Sequence, residues 1–449
     1  MVKAVYTMYT ASKYNVFLES DNNYLILYNS LSRKIFKLYP EQSNLVHSAI
    51  EHPDLEDNGY RNKLIENGFI VKDEFDELEY ANLVFLQDIF DSRLELIIMP
   101  TEQCNFRCKY CYEDLKKGRM DAELIDAICK YVKKNIRSHT SMSVSWFGGE
   151  PLEALDIIDS LSNNFISYCS KRMISYSAGI TTNGYNLTLD ALEVLLKCRV
   201  YTIQVTVDGI KATHDRFKVL ADGSPTFDVV MNNLRNIRDR CTKRIIDIVI
   251  RTNVSKEMLE YMDEIIHFYH QEFGNDPRFS FFFRPVGDWG GTAVKNVCSS
   301  VFQPHEFNQV YNKLLDSKLI LNYKLYHSEL TKTMDICYAN RNNSFVIGSD
   351  GTIYKCTNKF DYDINQVGKL CKTGKMELDK NKISKWTLAG LKTSKICDSC
   401  KVLPECHAAT CIADQVKGSK NEPTCPHMKG SLPTLLKLLS KDERYIPSL

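Results

Sequence analysis

Three closely spaced cysteines carry the strongest chemical signal in the sequence. Cys104, Cys108 and Cys111 are separated by three and then by two residues. A loop with three thiolates and no fourth can hold three irons of a [4Fe–4S] cluster and leave one iron open to another ligand. A zinc site or a set of buried thiols is the alternative, because cysteine serves those purposes too. The spacing favours the cluster, since it is far more specific than a lone pair of cysteines.

Polar residues and glycines at four other places could complete such a site. Gly148, Gly149, Glu150 and Pro151 are consecutive; the glycines allow a close backbone approach to a ligand, and Glu150 can accept a hydrogen bond from an amine. Further polar residues lie at the ends of later predicted strands: Asn183, Thr206, Asp208 and Arg251. Alternating side chains of a strand share one face, so Thr206 and Asp208 would point into the same space. Buried polar packing is the alternative for this second group.

A β/α series over residues 92–300 must position these residues. Apolar runs alternate with amphipathic helices and predict six strands, at 94–99, 142–147, 178–182, 202–207, 245–252 and 279–284. Each strand is brought back by a crossover helix, which implies a parallel sheet. Right-handed crossovers would curl that sheet into a partial (β/α)6 barrel in an α/β fold. The catalytic end of such a barrel is where the strands end, and there the three-cysteine loop follows the first strand.

The order of these motifs along the chain resembles that of the radical SAM enzymes. The resemblance implies that the open iron chelates the amino and carboxylate groups of S-adenosylmethionine (SAM). The resemblance places residues 148–151 at the methionine amine of SAM, Arg251 at its carboxylate and Tyr110 near its adenine. It also brings three further residues close to SAM: Asn183, Thr206 and Asp208. It also implies that an electron from a flavodoxin or ferredoxin enters the cluster, SAM is cleaved, and a 5′-deoxyadenosyl radical removes a hydrogen atom from the substrate.

The last part of the chain, residues 331–449, is rich in cysteine and weak in periodicity, so we expect metal rather than a large core to hold it. Its pattern resembles the SPASM extension of radical SAM proteins, which implies two auxiliary [4Fe–4S] clusters and three clusters in all. The outer cluster would be held by Cys397, Cys400, Cys406 and Cys425. The inner cluster would be held by Cys337, Cys356 and Cys411. Structural zinc is the alternative.

Two departures from that family affect the auxiliary clusters. Four residues separate Cys406 from Cys411, where the family usually has three. The inner cluster also lacks a fourth cysteine. Either Cys371 or Cys298 fills the place, or the iron is open to a substrate thiolate, which is a soft ligand that suits a cluster.

The first 80 residues predict a small winged-helix-like module. A hairpin turning at Asp21-Asn22 and a strand at 35–38 precede helices at 44–50 and 60–67, a C-cap at Gly68 and a strand at 69–71. The acidic stretch 73–79 reads as a linker. The module resembles the recognition element of enzymes that modify ribosomally synthesised peptides (RiPPs), which implies that the leader of a precursor peptide is bound as an added strand. A structural cap on the barrel is the alternative.

Composition excludes other classes of partner. The 449 residues are 44% hydrophobic, and 57 basic residues balance 56 acidic ones, so no overall field attracts nucleic acid or an anionic membrane. We expect no signal peptide and no membrane span, and hence a cytoplasmic location. In that compartment the sixteen cysteines would stay reduced, which favours metal ligation over disulfides.

The expected function is therefore that of a radical SAM peptide maturase. Our first hypothesis is that it forms a cross-link, a cysteine thioether, in a precursor peptide. A carbon–carbon cross-linking maturase and a protein oxidase of the sulfatase-maturase kind are the alternatives, and a non-catalytic, zinc-binding peptide adaptor is a hypothesis from another class. Residues 301–330 are expected to bridge the barrel and the tail. The sequence assigns no general base, for which Asp208 and Asp288 are candidates.

Overall fold

The computed structural model describes residues 8–20, 23–55, 59–287, 293, 297, 301–302, 306–317, 319–322, 336–391, 395–406, 412–417, 427–441 and 446–449. They fall into two compact units. The smaller lies within Met1–Ile89, Tyr323–Ile336 and Leu388–Leu449, and the larger within Phe90–Asn322 and Cys337–Thr387. None of the helices in the described part of the chain combines the length and the apolar run that a membrane crossing requires. The predicted domain boundaries stay a prediction.

The N-terminal part of the smaller unit holds two small antiparallel sheets. Its strands are β1 (Tyr9–Ala11), β2 (Asn15–Glu19), β3 (Leu25–Asn29), β4 (Lys34–Leu38) and β5 (Ile70–Lys72). The order β2-β3-β4 forms one sheet, and β1 pairs with β5. Helices α1 (Pro40–Glu51) and α2 (Arg61–Glu66) lie between β4 and β5. Strands β2 to β5 and both helices agree with the sequence prediction, whereas β1 was not predicted. The hairpin turn at Asp21-Asn22 lies outside the described residues.

The predicted acidic linker at 73–79 is wrong at its end, because helix α3 (Glu77–Ile89) begins inside it. The Asp76 carboxylate accepts hydrogen bonds from the backbone N–H groups of Leu78 and Glu79, each at 3.0 Å, and so caps the helix. Ala81, Phe85 and Ile89 recur every four residues and are buried. The acidic composition masked a helix that starts with its own N-cap.

The outer edge of β4 is occupied by residues 447–449. The Lys37 N–H donates to the Pro447 carbonyl at 3.0 Å, and the Leu449 N–H donates to the Lys37 carbonyl at 3.4 Å. The Gln42 side-chain amide donates to the Leu449 carbonyl at 3.3 Å. Leu449 also packs against the apolar core that includes Leu38. This segment therefore adds to the sheet as a short parallel strand.

The larger unit contains the six predicted parallel strands, which confirms the α/β fold class. They are β6 (Arg93–Ile98), β7 (Ser141–Trp146), β8 (Ser175–Thr182), β9 (Val200–Thr206), β10 (Asp247–Val254) and β11 (Phe279–Pro285). Each is parallel to its neighbour in that order. All six carboxyl ends therefore lie along the same edge of the sheet.

Helices follow the strands as a crossover fold requires. They are α4 (Ala122–Asn135), α5 (Leu155–Ser170), α6 (Leu189–Lys197), α7 (Lys211–Phe217), α8 (Phe227–Arg240), α9 (Met262–Phe273) and α10 (Asn308–Leu315). The Asp121 carboxylate caps α4 by accepting from the Leu124 N–H at 2.8 Å. Burying one large apolar side chain such as Val132 contributes about 1.5–3 kcal/mol to the free energy of unfolding. Helices α7 and α10 of this series were not predicted from the sequence, and α10 lies in the stretch 301–330 that was expected only to bridge the barrel and the tail.

Residues 337–387 extend the same sheet. Strand β12 (Ser344–Ile347) lies parallel to β6, and antiparallel strands β13 (Thr352–Tyr354), β14 (Gln366–Leu370) and β15 (Met376–Leu378) follow, with helix α11 (Lys380–Thr387) after them. Val346, Ile347 and Trp386 are fully buried. This part of the tail therefore has an apolar core, which was not expected because its strands are too short to show a clear period in the sequence. That metal also holds it stays a prediction.

In the part of the smaller unit that the structure describes, four helices follow: α12 (Lys395–Asp398), α13 (Leu403–Cys406), α14 (Ile412–Lys417) and α15 (His427–Leu439). Helix α13 packs against α3. The Ser30 hydroxyl donates to the Lys401 carbonyl, and the Tyr24 and Ser440 hydroxyls are 2.6 Å apart. The N-terminal sheets and the segment around Cys397–Cys406 therefore form one packed body.

Candidate active site

The three-cysteine loop is held by strand-like pairing with the residues that follow α7. The Arg107 N–H donates to the Val219 carbonyl at 2.8 Å, and the Lys109 N–H donates to the Phe217 carbonyl at 3.0 Å. A third bond runs the other way, from the Ala221 N–H to the Asn105 carbonyl at 3.0 Å. These bonds fix the backbone on which Cys104 and Cys108 lie.

The three thiols are partly buried and lie on one loop. Burial raises the pKa of Cys104, Cys108 and Cys111, to about 12 for Cys111, so a metal must displace their protons when it binds. Among the described residues, no three His, Cys, Asp or Glu side chains are arranged to hold a single metal ion. The assignment to a cluster therefore rests on the donor set, which is three thiols on one loop.

Gly148 and Gly149 press against the start of this loop. Gly148 has a φ of +115°, and a Cβ there would lie 2.4 Å from the Thr101 carbonyl oxygen. A Cβ at Gly149 would lie 2.1 Å from the carbonyl oxygen of Gln103. The Glu150 N–H donates to that same carbonyl at 2.8 Å. The close approach expected of the glycines is thus made to the cysteine loop itself, and it locks the loop to the end of β7.

Glu150 is fully buried and accepts three hydrogen bonds. Its donors are the Leu152 N–H at 3.0 Å, the Thr182 hydroxyl at 2.6 Å and the Asn183 N–H at 2.7 Å. Burial raises the pKa of Glu150 to about 7, and the hydrogen bonds limit the rise. The carboxyl group therefore joins the ends of β7 and β8 and titrates near neutral pH.

Asn183 connects the end of β8 to the cysteine loop. Its side-chain amide donates to the Asn105 side-chain oxygen at 2.7 Å and lies 3.9 Å from the Cys104 sulfur. Its own side-chain oxygen accepts from the Tyr185 N–H at 2.9 Å. The sequence predicted Asn183 for the site, and the structure places it beside a cysteine sulfur.

Asp208 and Tyr110 form a buried pair. The Tyr110 hydroxyl donates to one oxygen of Asp208, and the Asn253 N–H donates to the other at 3.0 Å. The Asn253 side-chain amide also donates to the Tyr110 hydroxyl, at 3.2 Å. Burial raises the pKa of Asp208. Burial and the nearby charge of Asp208 both raise the pKa of Tyr110. The residue between the last two cysteines is thereby tied to the end of β9.

The remaining predicted residues lie at the same edge of the sheet. Thr206 and Arg251 face each other in register on β9 and β10. The Arg251 guanidinium donates to the Asn253 side-chain oxygen at 3.0 Å, and burial lowers its pKa. Pro151 is buried and begins a short 3-10 helix, where its lack of an N–H costs nothing. The predicted SAM-binding residues are therefore gathered at the carboxyl ends of the parallel strands.

Several residues that the sequence did not single out belong to this site. Lys218 is only 4% exposed, and its ammonium nitrogen lies 3.8 Å from the Cys108 sulfur. The buried His214 ring accepts from the Asp208 N–H at 3.2 Å, and burial holds its pKa well below the usual range, so the ring is neutral. Lys218, His214, Asn105 and Asn253 carry no local motif, and only their contacts reveal them.

The described auxiliary cysteines divide between the two units. In the larger unit, Cys356 is buried after β13, and the Tyr338 hydroxyl lies 4.0 Å from its sulfur. Cys337 directly precedes the short 3-10 helix Tyr338–Asn340. Cys371 lies in the turn between β14 and β15, where its N–H donates to the Lys375 carbonyl at 2.9 Å. Four residues named from the sequence lie outside the described residues: Asp288, Cys298, Cys411 and Cys425.

The smaller unit carries Cys397, Cys400 and Cys406 on α12, α13 and the turn between them. The Cys400 N–H donates to the Cys397 carbonyl at 2.9 Å, and the Cys406 N–H donates to the Val402 carbonyl at 3.0 Å. All three are partly exposed, and none is in a disulfide. This arrangement leaves them accessible to a metal.

Residues 98–267 match the family profile described as the Radical SAM superfamily. The chain contains a radical SAM domain. This domain begins at the last residue of β6 and ends in α9, so it includes the cysteine loop, residues 148–151, Asn183, Asp208 and Arg251. The matched segment is the part of the chain in which the structure gathers these side chains.

The chain is similar to several characterised proteins over most of its length. A cysteine-type anaerobic sulfatase-maturating enzyme from Clostridium novyi (strain NT) is 24% identical over 342 residues, which are 70% of this chain and 87% of that protein. Native anSMEcpe, solved with bound AdoMet (SAM) and Cp18Cys peptide, has a TM-score of 0.60 at 18% identity and covers 78% of this chain and 99% of its own. Streptococcus suis SuiB, solved with precursor peptide SuiA, has a TM-score of 0.53 at 16% identity and covers 94% and 99%. These two structures share the fold of the chain.

Proposed function

We propose that the chain is a radical SAM peptide maturase that forms a cross-link, a cysteine thioether, in a ribosomally synthesised precursor peptide. The observation that carries the proposal is the convergence of the three-cysteine loop, Glu150, Asn183, Asp208 and Arg251 at the carboxyl ends of the parallel strands. When bound, the cluster and SAM supply a 5′-deoxyadenosyl radical that removes a hydrogen atom from the substrate. The chain provides ligands, orientation and exclusion of water.

The residues of the site suit the parts of SAM they would hold. Glu150 accepts the methionine amine, and Arg251 pairs with the carboxylate, for which a guanidinium fork is well shaped. Asp208 already accepts from Tyr110 and Asn253, and its remaining lone pairs can accept from a ribose hydroxyl. Tyr110 therefore orients Asp208 from the adenine side. Thr206, beside Arg251 in register, contributes a further hydroxyl.

The N-terminal module supports a peptide as the substrate. The outer strands of its sheet β2-β3-β4 are β2 and β4, and residues 447–449 occupy the outer edge of β4. An extended leader can add to β2 through backbone hydrogen bonds, or to β4 in place of residues 447–449. SuiB binds the precursor peptide SuiA, and anSMEcpe binds the Cp18Cys peptide. We assign the same class of substrate to this chain. The proposal places it in the cytoplasm, with a flavodoxin or ferredoxin as the electron donor.

The thioether rests on the auxiliary clusters. We propose three [4Fe–4S] clusters, an outer one on Cys397, Cys400, Cys406 and Cys425 and an inner one on Cys337, Cys356 and Cys411. The buried position of Cys356 suits an inner cluster. Cys371 interacts with Glu377 and Lys375 in its own hairpin, which favours an inner cluster with one iron open to a substrate thiolate.

A protein oxidase of the sulfatase-maturase kind is the second candidate. The 24% identity to the Clostridium novyi enzyme, over 87% of that protein, favours it. Such an enzyme would oxidise one residue of a protein substrate and form no ring. A carbon–carbon cross-link is the third candidate, and it would leave cysteines of the peptide free.

Mass spectrometry of the product separates these candidates. The iron-loaded protein is incubated without oxygen with SAM, reductant and the precursor peptide encoded beside its gene, and the peptide is then alkylated. A thioether predicts a loss of two hydrogens and a cysteine that resists alkylation. A product whose cysteine still alkylates contradicts it.

Metal and sulfide analysis tests the cluster count. Three [4Fe–4S] clusters predict about twelve irons and as many acid-labile sulfides per chain. Zinc without sulfide would instead support the non-catalytic adaptor.

A further inference from the structure

Lys218 places a positive charge against one of the three cysteines of the radical SAM domain. Its side chain is almost completely buried, and its ammonium nitrogen lies 3.8 Å from the Cys108 sulfur. The ammonium also lies 5.5 Å from the centre of the Phe106 ring. An N–H donor at this distance from sulfur makes a weak hydrogen bond to the group that would ligate iron.

The backbone around Lys218 is fixed on both sides. The Lys218 N–H donates to the His214 carbonyl at 2.9 Å, and the Thr226 hydroxyl donates to the Lys218 carbonyl at 2.7 Å. The His214 ring is 3.1 Å from the same hydroxyl. The neighbours Phe217 and Val219 accept the hydrogen bonds that hold the cysteine loop. The lysine is therefore held by the same pairing that positions Cys108.

A buried ammonium group needs compensating negative charge. Burying an unpaired charge is strongly unfavourable. Asp208 is one source of compensation, and the thiol groups of Cys104, Cys108 and Cys111 are its other electrostatic partners. Thiols that carry protons offer no charge, whereas thiolates on iron do. The position of Lys218 is thus matched to a negatively charged cluster.

We propose that Lys218 raises the reduction potential of the radical SAM cluster by its charge and its hydrogen bond to Cys108. The inference rests on the proposed cluster at Cys104, Cys108 and Cys111. The step is the addition of one electron to the [4Fe–4S] cluster from a reduced flavodoxin or ferredoxin, which is oxidised by one electron, and Lys218 keeps its proton. Because reduction adds negative charge, a nearby cation and a donor to sulfur stabilise the reduced form more than the oxidised form.

The test is a redox titration of the full iron-loaded chain, followed by electron paramagnetic resonance (EPR). The signal of the radical SAM cluster is identified as the one that changes when SAM is added. We expect Lys218→Met to disfavour reduction by about tenfold, which corresponds to a shift of about 59 mV to lower potential for a one-electron couple. Lys218→Arg keeps the charge and should restore most of the shift. An unchanged potential in Lys218→Met overturns the inference.

Two controls exclude a merely structural role. Lys116 is on the chain just after the cysteine loop, and its side chain is 79% exposed. Lys116→Met removes a solvent-screened charge and should leave the potential unchanged. If Lys218→Met does not hold the cluster, Lys218→Gln is used instead, because it keeps a hydrogen-bond donor without the charge. A lower reduction potential in Lys218→Gln than in the wild type supports the inference, and a potential equal to the wild-type value overturns it.

The titration is made without peptide, so it separates the inference from the proposed function. A chain that holds the cluster and shows the shift but modifies no peptide contradicts the maturase alone. A chain that modifies the peptide and shows no shift in Lys218→Met contradicts the inference alone.

Discussion

Glu150 is a carboxyl group whose burial opposes its charge. Three donors hold it at the ends of β7 and β8, yet burial still raises its pKa to about 7. The N–H groups of a neighbouring amine would donate to the ionised form and favour it. Glu150 is therefore suited to accept from the amine of a ligand that arrives in the buried site.

The pH dependence of SAM affinity tests this role. A pKa of about 7 leaves Glu150 mostly protonated at pH 6 and mostly ionised at pH 8, so SAM should bind about tenfold more tightly at the higher pH. Isothermal titration of the iron-loaded protein without oxygen measures the affinity. Glu150→Gln cannot ionise and should bind weakly, with a flatter profile.

The amine of SAM itself titrates at about pH 8, which makes the affinity of both proteins depend on pH. The contribution of Glu150 is therefore read from the difference between the pH profiles of the wild type and Glu150→Gln. Identical pH profiles for the wild type and Glu150→Gln would show that Glu150 does not contact the amine.

The site residues that could be named from the sequence are those with a local signal. The spacing of the three cysteines and the run of residues 148–151 are written in consecutive positions. Lys218 could not be found in this way, because it meets Cys108 across 110 positions of the chain. Asn183 was named from its place at the end of a predicted strand, but its contact with Asn105, 78 positions away, was not predicted. Such pairs depend on how the loops dock.

At the scale of elements, the docking of the cysteine loop on the end of β7 depends on Gly149. No side chain fits there, because a Cβ would lie 2.1 Å from the carbonyl oxygen of Gln103. Gly118 offers a matched control, since nothing lies within 4 Å of the Cβ that would be built on it.

We expect Gly149→Ala to displace the loop and prevent assembly of the radical SAM cluster. Iron content should fall by about four atoms per chain, while Gly118→Ala keeps the full count. Iron and sulfide analysis after anaerobic reconstitution gives the answer. Full iron loading in Gly149→Ala would mean that the loop binds the cluster without this contact.

The edge of β4 gives a second prediction at this scale. Two backbone hydrogen bonds hold residues 447–449 there and contribute roughly 1–3 kcal/mol together. If the leader peptide adds to β4, deleting residues 447–449 should tighten its binding by about tenfold. Fluorescence anisotropy with labelled precursor peptide measures the change, and Ser448→Ala, which keeps the backbone bonds, is the control. Unchanged affinity would assign the leader to β2 instead.

The elements that the sequence missed share a physical reason. Helix α7 has only seven residues, and strands β12 and β13 have four and three, so each is too short for its apolar pattern to stand out in the sequence. Helix α3 was hidden by acidic residues that look like a linker but include the cap Asp76. Long, periodic elements such as α4 and β10 were found with small errors at their ends.

On the scale of the whole molecule, the smaller unit joins both ends of the sequence. The N-terminal sheets pack with the segment that carries Cys397, Cys400 and Cys406, through α3 against α13 and through Ser30 against Lys401. Nothing in the sequence pattern indicated this, since contacts between distant segments leave no local signature. A metal bound at these cysteines would therefore stabilise the body that contains the N-terminal module.

We expect the double variant Cys397→Ala/Cys400→Ala to lose the outer cluster and to unfold the smaller unit at a lower temperature. Binding of the precursor leader should weaken, while the EPR signal of the radical SAM cluster stays. Cys241→Ala, at the end of α8 in the larger unit, is the control and should change neither the unfolding temperature nor the leader binding. Thermal unfolding and leader binding that match the wild type would show that no metal supports this unit.

The central claim is that the radical SAM domain cleaves SAM to start a radical reaction on a peptide. The most direct measurement is 5′-deoxyadenosine formed by the iron-loaded protein with SAM and dithionite, with the precursor peptide present. We predict multiple turnovers for the wild type, coupled to loss of two hydrogens from the peptide, and none for Cys104→Ala. A fully iron-loaded wild type that releases no 5′-deoxyadenosine would contradict the account.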